Sequence, residues 1–239
     1  KAQYDMSNVQ WVTEDGPVYN GEEKTLKLAG LPEGVAVETY SGNRATDAGT
    51  YVADAILVCG DPANYERPVV SPVRWTIEKK VIDISNVEWN YDNNTVFIYD
   101  DQPKEVRLTG LPSDVDVVYV DNVKINAGEY VARARLTYDT RNFEAGQIEN
   151  CRWRIAKANI DTSDVYWDYP GAFHYDAGEK AVALRNLPSL IDVRYRDNKA
   201  TQVGSYTAKA YLTYNSDNYN EPDIDTTLDW EIVRDNDNN

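Results

Sequence analysis

The sequence predicts an all-β chain of three tandem β-sandwich units, arranged as an extended, rod-like array. Three observations predict it. Landmarks recur in the same order three times. Apolar residues alternate with a period of two. The segments joining one unit to the next are short and contain neither Gly nor Pro. The six tryptophans set the period. Trp11, Trp89 and Trp167 are each 78 residues apart, while Trp75, Trp153 and Trp230 are 78 and 77 apart. Self-similarity at a fixed period marks a repeat architecture, each repeat being one supersecondary unit. The boundaries fall at residues 1–80, 81–157 and 158–239.

Each unit opens with a similar phrase, YDMSNVQW, IDISNVEW or IDTSDVYW, which carries the first Trp. A strand follows in which Leu26 and Leu28, Val106 and Leu108, or Val182 and Leu184 alternate before a Leu-Pro turn. After the turn, Val35 and Val37, Val115 and Val117, or Ile191 and Val193 alternate toward Tyr40, Tyr119 or Tyr195. The next strand is the clearest. Tyr51, Ala53, Ala55 and Leu57 share one face, as do Tyr130, Ala132, Ala134 and Leu136, and Tyr206, Ala208, Ala210 and Leu212. The intervening residues vary and are mostly polar, the signature of a half-buried antiparallel strand. The small alanines leave room for large side chains, and the tryptophans are suited to fill it. About seven short strands per unit, with no stretch of helical period, suit a small sandwich. The joints TIEKKVIDISNVE and RIAKANIDTSDVY are not flexible linkers of the Gly/Ser kind, and this underlies the rod. Lys1-Ala2 matches Lys157-Ala158, so the sequence reads as a piece of a longer array. The start also lacks an apolar signal-peptide core, as expected of mature or excised sequence.

The segments DAGTY, NAGEY and QVGSY precede the long strand. A Gly two residues before a Tyr resembles the tyrosine corner of immunoglobulin-like domains, in which a Tyr bonds back to upstream backbone. The units are therefore expected to be Ig-like β-sandwich domains. The order Tyr19-Asn20-Gly21, Lys24-Thr25-Leu26, Gly30-Leu31-Pro32, Ala48-Gly49-Thr50-Tyr51, Asn64-Tyr65 and Ile155-Ala156-Lys157-Ala158 resembles the MBG-type repeats of large bacterial extracellular proteins. The third unit departs from that pattern, with Asn186 before Leu-Pro and Val203 before Gly204. The resemblance implies an adhesin-like, cell-surface or secreted location, and no particular ligand.

Composition narrows the chemistry. Lys and Arg number 24 against 40 Asp and Glu, a net charge of −16. Nucleic acid and anionic membrane are excluded as partners by that sign, and all three units are acidic. No apolar run is long enough to span a bilayer. The single His174 lies in a loop-like PGAFHYD, and the sequence assembles no Ser or Cys nucleophile with a base around it. No pair of carboxylates recurs as a glycosidase couple would, so no catalytic residue, cofactor or metal is assigned. The acidic tail Asp235-Asn236-Asp237-Asn238 has oxygen ligands in the style of a calcium site, but reads as a solvated tail. Cys59 and Cys151 occupy non-equivalent slots in different units and are expected to be free thiols.

Lys24, Lys104 and Lys180 share the parity of the inward apolar residues. They are read as margin lysines with buried stems. A Lys–Asn isopeptide bond to Asn64, Asn142 or Asn218 is the sharper alternative. Most tyrosines and all six tryptophans fill recurrent slots and read as core. Tyr4, Tyr91, Tyr166, Tyr169 and Tyr211 fall outside them. Tyr166, Tyr169, Phe173 and His174, close together in the third unit, are the candidate ligand-binding residues. The sequence thus reads as a non-enzymatic, extracellular stalk or spacer and a monomer, joined to neighbouring domains of a larger chain. Adhesion to glycan, mucin or a matrix protein is the alternative.

Overall fold

A computed structural model describes residues 1–92 and 94–234. The acidic tail from Asp235 onward, with its calcium reading, lies outside the described residues. Every regular element among the described residues is a β-strand. The chain divides into two compact units, the first made of residues 1–89, 108–120 and 133–149, the second of 90–107, 121–132 and 150–239. The second sequence repeat is thus shared between them, while the first lies wholly in one unit and the third wholly in the other.

The third repeat shows the plan. Its larger sheet is ordered Phe173–His174, Thr227–Val233, Gly204–Thr213, Asp192–Arg196. The first pair is parallel and the others antiparallel. A small antiparallel layer joins Tyr166–Asp168 to Ala183–Arg185, with Trp167 opposite Leu184. Between the layers sit Val182, Ala208, Trp230 and Ile232. The same register recurs as Trp11 opposite Leu28 and as Trp89 opposite Leu108. The expected alternation on the long strand holds, with Ala53, Ala132 and Ala208 fully buried.

Recurrent aromatic residues fix the layers by hydrogen bonds. The hydroxyls of Tyr51, Tyr130 and Tyr206 donate to the carbonyls of Asp47, Asn126 and Gln202 at 2.7, 2.8 and 2.7 Å, forming the expected corner. The hydroxyls of Tyr40, Tyr119 and Tyr195 accept the amide N–H of Leu28, Leu108 and Leu184 at 3.0, 2.9 and 2.9 Å. Each thereby ties one layer to the other. The indole N–H groups of all six tryptophans donate to backbone carbonyls. A buried indole N–H needs such a partner, and here it fastens a strand to a loop. A further recurrence is silent in hydropathy. Asn43, Asn122 and Asn198 each donate a side-chain N–H to the carbonyl of Leu26, Val106 or Val182.

Two departures from strict repetition have local causes. The first repeat reads Val37-Glu38-Thr39-Tyr40 where the others read Val117-Val118-Tyr119 and Val193-Arg194-Tyr195. The extra residue falls where the register shifts between Val37 and Thr39, so a bulge absorbs it and Tyr40 keeps its face. Asn186 replaces glycine before Leu-Pro. Gly30, Gly110 and Asn186 all have positive φ, at 76, 73 and 58°. Asn tolerates that left-handed conformation better than other residues with a side chain, and its side chain donates to the Asp164 carbonyl at 3.1 Å.

Candidate functional site

Repeats one and two meet within the first unit, and repeats two and three within the second. The same cluster is built at both joints. It begins with an Asx turn, in which Asp139 Oδ1 accepts the Arg141 amide at 3.0 Å and Asn215 Oδ1 the Asp217 amide at 3.2 Å, closed by a backbone bond. In Asp139-Thr140-Arg141-Asn142, the Phe143 amide donates to the Asp139 carbonyl at 3.0 Å. In Asn215-Ser216-Asp217-Asn218, the Tyr219 amide does the same to Asn215 at 3.0 Å. The turn presents one asparagine, and although Asn is usually exposed, Asn142 is 5 % and Asn218 4 % exposed.

These asparagines reach the tyrosine corner of the repeat before. Asn142 Oδ1 accepts the Ala48 amide N–H at 2.7 Å, and Asn218 Oδ1 accepts that of Ala127 at 2.8 Å. Asn142 Nδ2 donates to Asp47 Oδ1 at 3.0 Å and to Asp139 Oδ2 at 2.8 Å. Asn218 Nδ2 donates to Asn126 Oδ1 at 3.1 Å. Their backbone carbonyls accept the amides of Lys80 and Ala158 at 2.9 and 3.0 Å. Lys79 and Lys157 each donate from Nζ to a carbonyl of the turn, Thr140 or Ser216, at 2.6 Å. An aromatic edge closes each joint. Phe143 meets Tyr19 and Tyr219 meets Tyr99, both at 5.3 Å between ring centres and nearly perpendicular. Such edge-to-face pairs add stability beyond their buried area.

The joints differ in charge. The first uses carboxylates, with Arg141 also paired to Asp47 at 2.9 Å. Donation from the Asn142 side chain, and then from backbone N–H, holds the Asp139 carboxyl below its ordinary pKa. The second joint has Asn126 and Asn215 in those places, and neither titrates.

The residues singled out from sequence are placed as follows. The Tyr169 ring lies 5.7 Å from Phe173, and Phe173 lies edge-on to Trp230 at 5.9 Å. Both rings pack against the third repeat's core, and the Tyr169 hydroxyl accepts the Glu231 amide N–H at 3.1 Å. Tyr91 repeats that bond with Arg154 at 3.1 Å and stacks on Phe97. Tyr91 and Tyr169 therefore form a recurrent slot, which the sequence reading missed because Thr13 takes it in the first repeat. Tyr166 and His174 are exposed, on strands of different sheets. Tyr4 is stacked on Tyr65 at 4.4 Å.

Among the recurrent lysines, Lys24 is buried. Lys104 and Lys180 pair through Nζ with Asp100 and Asp176, four residues upstream, at 2.5 and 2.6 Å. Two of the three asparagines of the isopeptide alternative, Asn142 and Asn218, spend their side-chain amides on the joints. Cys59 and Cys151 are free, and burial raises the Cys151 thiol pKa.

No model of a known protein family matches the chain. No curated protein matches it in sequence. A solved structure of FdeC, a broadly conserved Escherichia coli adhesin, is similar over 95 % of this chain and 97 % of that one, with 8 % identity and a TM-score of 0.27. A likeness so loose carries no argument about this chain.

Proposed function

We propose that the chain is a non-catalytic spacer, a run of stiffly joined repeats in a bacterial surface or secreted protein, where it holds other domains at a distance. The observation that carries this reading is the repetition of one polar lock at both joints. A loose linker would need neither a buried asparagine nor a matched corner on its neighbour. The intervening chain, without Gly or Pro, is the other support, because it leaves little room for hinge motion. Net negative charge keeps such an array soluble and self-repelling. Small-angle scattering of the purified chain is expected to give the cross-section of a single sandwich and a maximum dimension near three repeats in line. A near-spherical particle would refute the reading.

Adhesion to a glycan or matrix protein is the second reading, favoured by Tyr166, which is 55 % exposed. Because Phe173 and Tyr169 serve the core and His174 lies on a strand of another sheet, binding on the Tyr166 side would rest on Tyr166.

A further inference from the structure

A cavity of about 440 Å³ opens in the second repeat, lined by Ile82, Asp114, Tyr138, Asp139 and Phe143 among others. That volume is within the range of small-molecule sites. The first repeat shows what fits such a place. Tyr4, Gly34, Cys59, Asp61 and Tyr65 hold the equivalent positions there, and the Tyr4 ring takes the space. It packs against the first repeat's core and stacks on Tyr65, with ring centres 4.4 Å apart and planes 25° from parallel. Its hydroxyl stands 3.2 Å from where a Cβ on Gly34 would be. Burial, and then the neighbouring Cys59, Tyr65 and Asp61, raise the pKa of that hydroxyl. In the second repeat Ile82 replaces Tyr4. An aliphatic side chain does not reach as far as a phenol, so the ring's place beside Phe143 and Tyr138 is left open. Ile82 is only half-buried, whereas Ile160, its counterpart in the third repeat, is 8 % exposed. The aromatic walls are already fixed. The Tyr138 hydroxyl accepts the Ala145 amide N–H at 3.1 Å, and Tyr19 meets Phe143 edge-on. Walls set in advance lower the cost of binding. The carboxylates of Asp83, Asp114 and Asp139 face a single ammonium, that of Lys80, around the cavity. Hydrogen bonds from Ser85 hold the Asp83 carboxyl below its ordinary pKa, as those from Asn142 and the backbone do at Asp139.

We propose that this cavity binds a small phenolic molecule without negative charge, its ring seated on Phe143 as Tyr4 is seated on Tyr65. Asp114 stands where the first repeat has Gly34, so the ligand's hydroxyl would donate to the Asp114 carboxylate in a charge-assisted bond. A free ring, unlike one tied to the backbone, can shift to admit that side chain. The excess of carboxylates around the cavity disfavours an anion and favours a cationic substituent on the ring. The space suits a flat ring, and a puckered pyranose fits it less well. The inference stands apart from the spacer reading and from adhesion through Tyr166, neither of which uses the cavity.

Titration of the isotope-labelled full chain with p-cresol, followed by amide chemical shifts, tests it. The expected result is saturable shifts at Ile82, Val115 and Phe143 with a Kd of about 1 mM, as suits so small a ligand. Tyramine, which adds a cation, should bind about threefold tighter, and p-hydroxyphenylacetate weaker than either. Ile82→Phe returns a ring to the cavity and should remove the shifts while leaving the near-ultraviolet dichroism of the tryptophans unchanged. Asp114→Ala, at an exposed position, should weaken p-cresol binding about tenfold by removing the charged acceptor. Absence of saturable shifts up to about 10 mM ligand overturns the proposal. So do shifts that Ile82→Phe leaves intact or, should that variant not fold, shifts that Asp114→Ala leaves intact. Tighter binding of methyl glucoside than of p-cresol overturns it as well.

Discussion

Replacing Asn142 by Ala removes the centre of the first joint while leaving the backbone turn in place. The Ala48 amide would lose its acceptor at 2.7 Å, and Asp47 and Asp139 would lose a donor at 3.0 and 2.8 Å. An N–H left without a partner in a partly buried place costs about 1–3 kcal/mol. The two carboxylates can turn to water, so they add less. The sum is about 2–3 kcal/mol, a shift of about 30- to 150-fold in the ratio of open to closed joint. Amide hydrogen exchange reads it at Glu78 and Tyr19, whose amides donate to the Pro17 and Glu78 carbonyls beside the joint. Aspartate at the same position gives a sharper comparison. Asn142→Asp would set a third carboxylate against Asp47 and Asp139 and should open the joint at least as far as Ala does. Asn218→Asp keeps its acceptor for Ala127 and faces Asn126, whose amide can turn to donate, so it should cost less. Asn64→Ala, at an exposed site, should cost under about 1 kcal/mol. Equal costs for Asn142→Ala and Asn64→Ala would refute the lock, and equal costs for the two Asp substitutions would refute the charge argument.

Acid should loosen the first joint and spare the second. The folded Asp139 pKa is depressed, so its contribution is complete above the unfolded value of about 3.9 and is lost as pH falls through the folded one. Protection of the Ala48 amide, corrected for intrinsic rate, should drop as pH falls below about 3.9 toward the depressed folded pKa, while that of Ala127 stays constant. Equal changes at both sites would count against this. At the Leu-Pro turns, Gly30→Ala should lower the melting temperature. Its φ is 76°, and a Cβ would stand 2.1 Å from the Asn8 carbonyl oxygen. The left-handed conformation alone costs about 1–2 kcal/mol. An unchanged calorimetric transition would show that the turn relaxes.

The parts of the fold governed by period-two burial were legible in the sequence. Ala53, Ala132 and Ala208, with their flanking Leu and Tyr, could be placed on inward faces because burial leaves a pattern in hydropathy. The tyrosine corner was legible because Gly-x-Tyr is a local geometric motif. The joints were not, although Asn142 and Asn218 were noticed as recurrent. A buried asparagine bonded to backbone leaves no hydropathic trace, and its partners Ala48 and Ala127 lie about ninety residues earlier in the chain. The available signal was the Asx-x-x-Asn turn, which reads as loop chemistry until its neighbour is known. The aromatic reading of the third repeat missed for a related reason. Phe173 and Tyr169 sit in loop-like sequence, yet they close the end of the core beside Trp230.

The parallel pairing of the short Phe173–His174 strand with the closing Thr227–Val233 strand bears on how a repeat meets tension. A pull applied along the chain enters near the first of these strands and leaves from the end of the second. Because the two run in the same direction, that pull slides one past the other and loads their bridging hydrogen bonds together, instead of peeling them off one at a time. Phe97–Ile98 on Cys151–Ala156 repeats the arrangement. In the first repeat it shrinks to the single bridge between Val18 and Glu78, so fewer bonds share the load there.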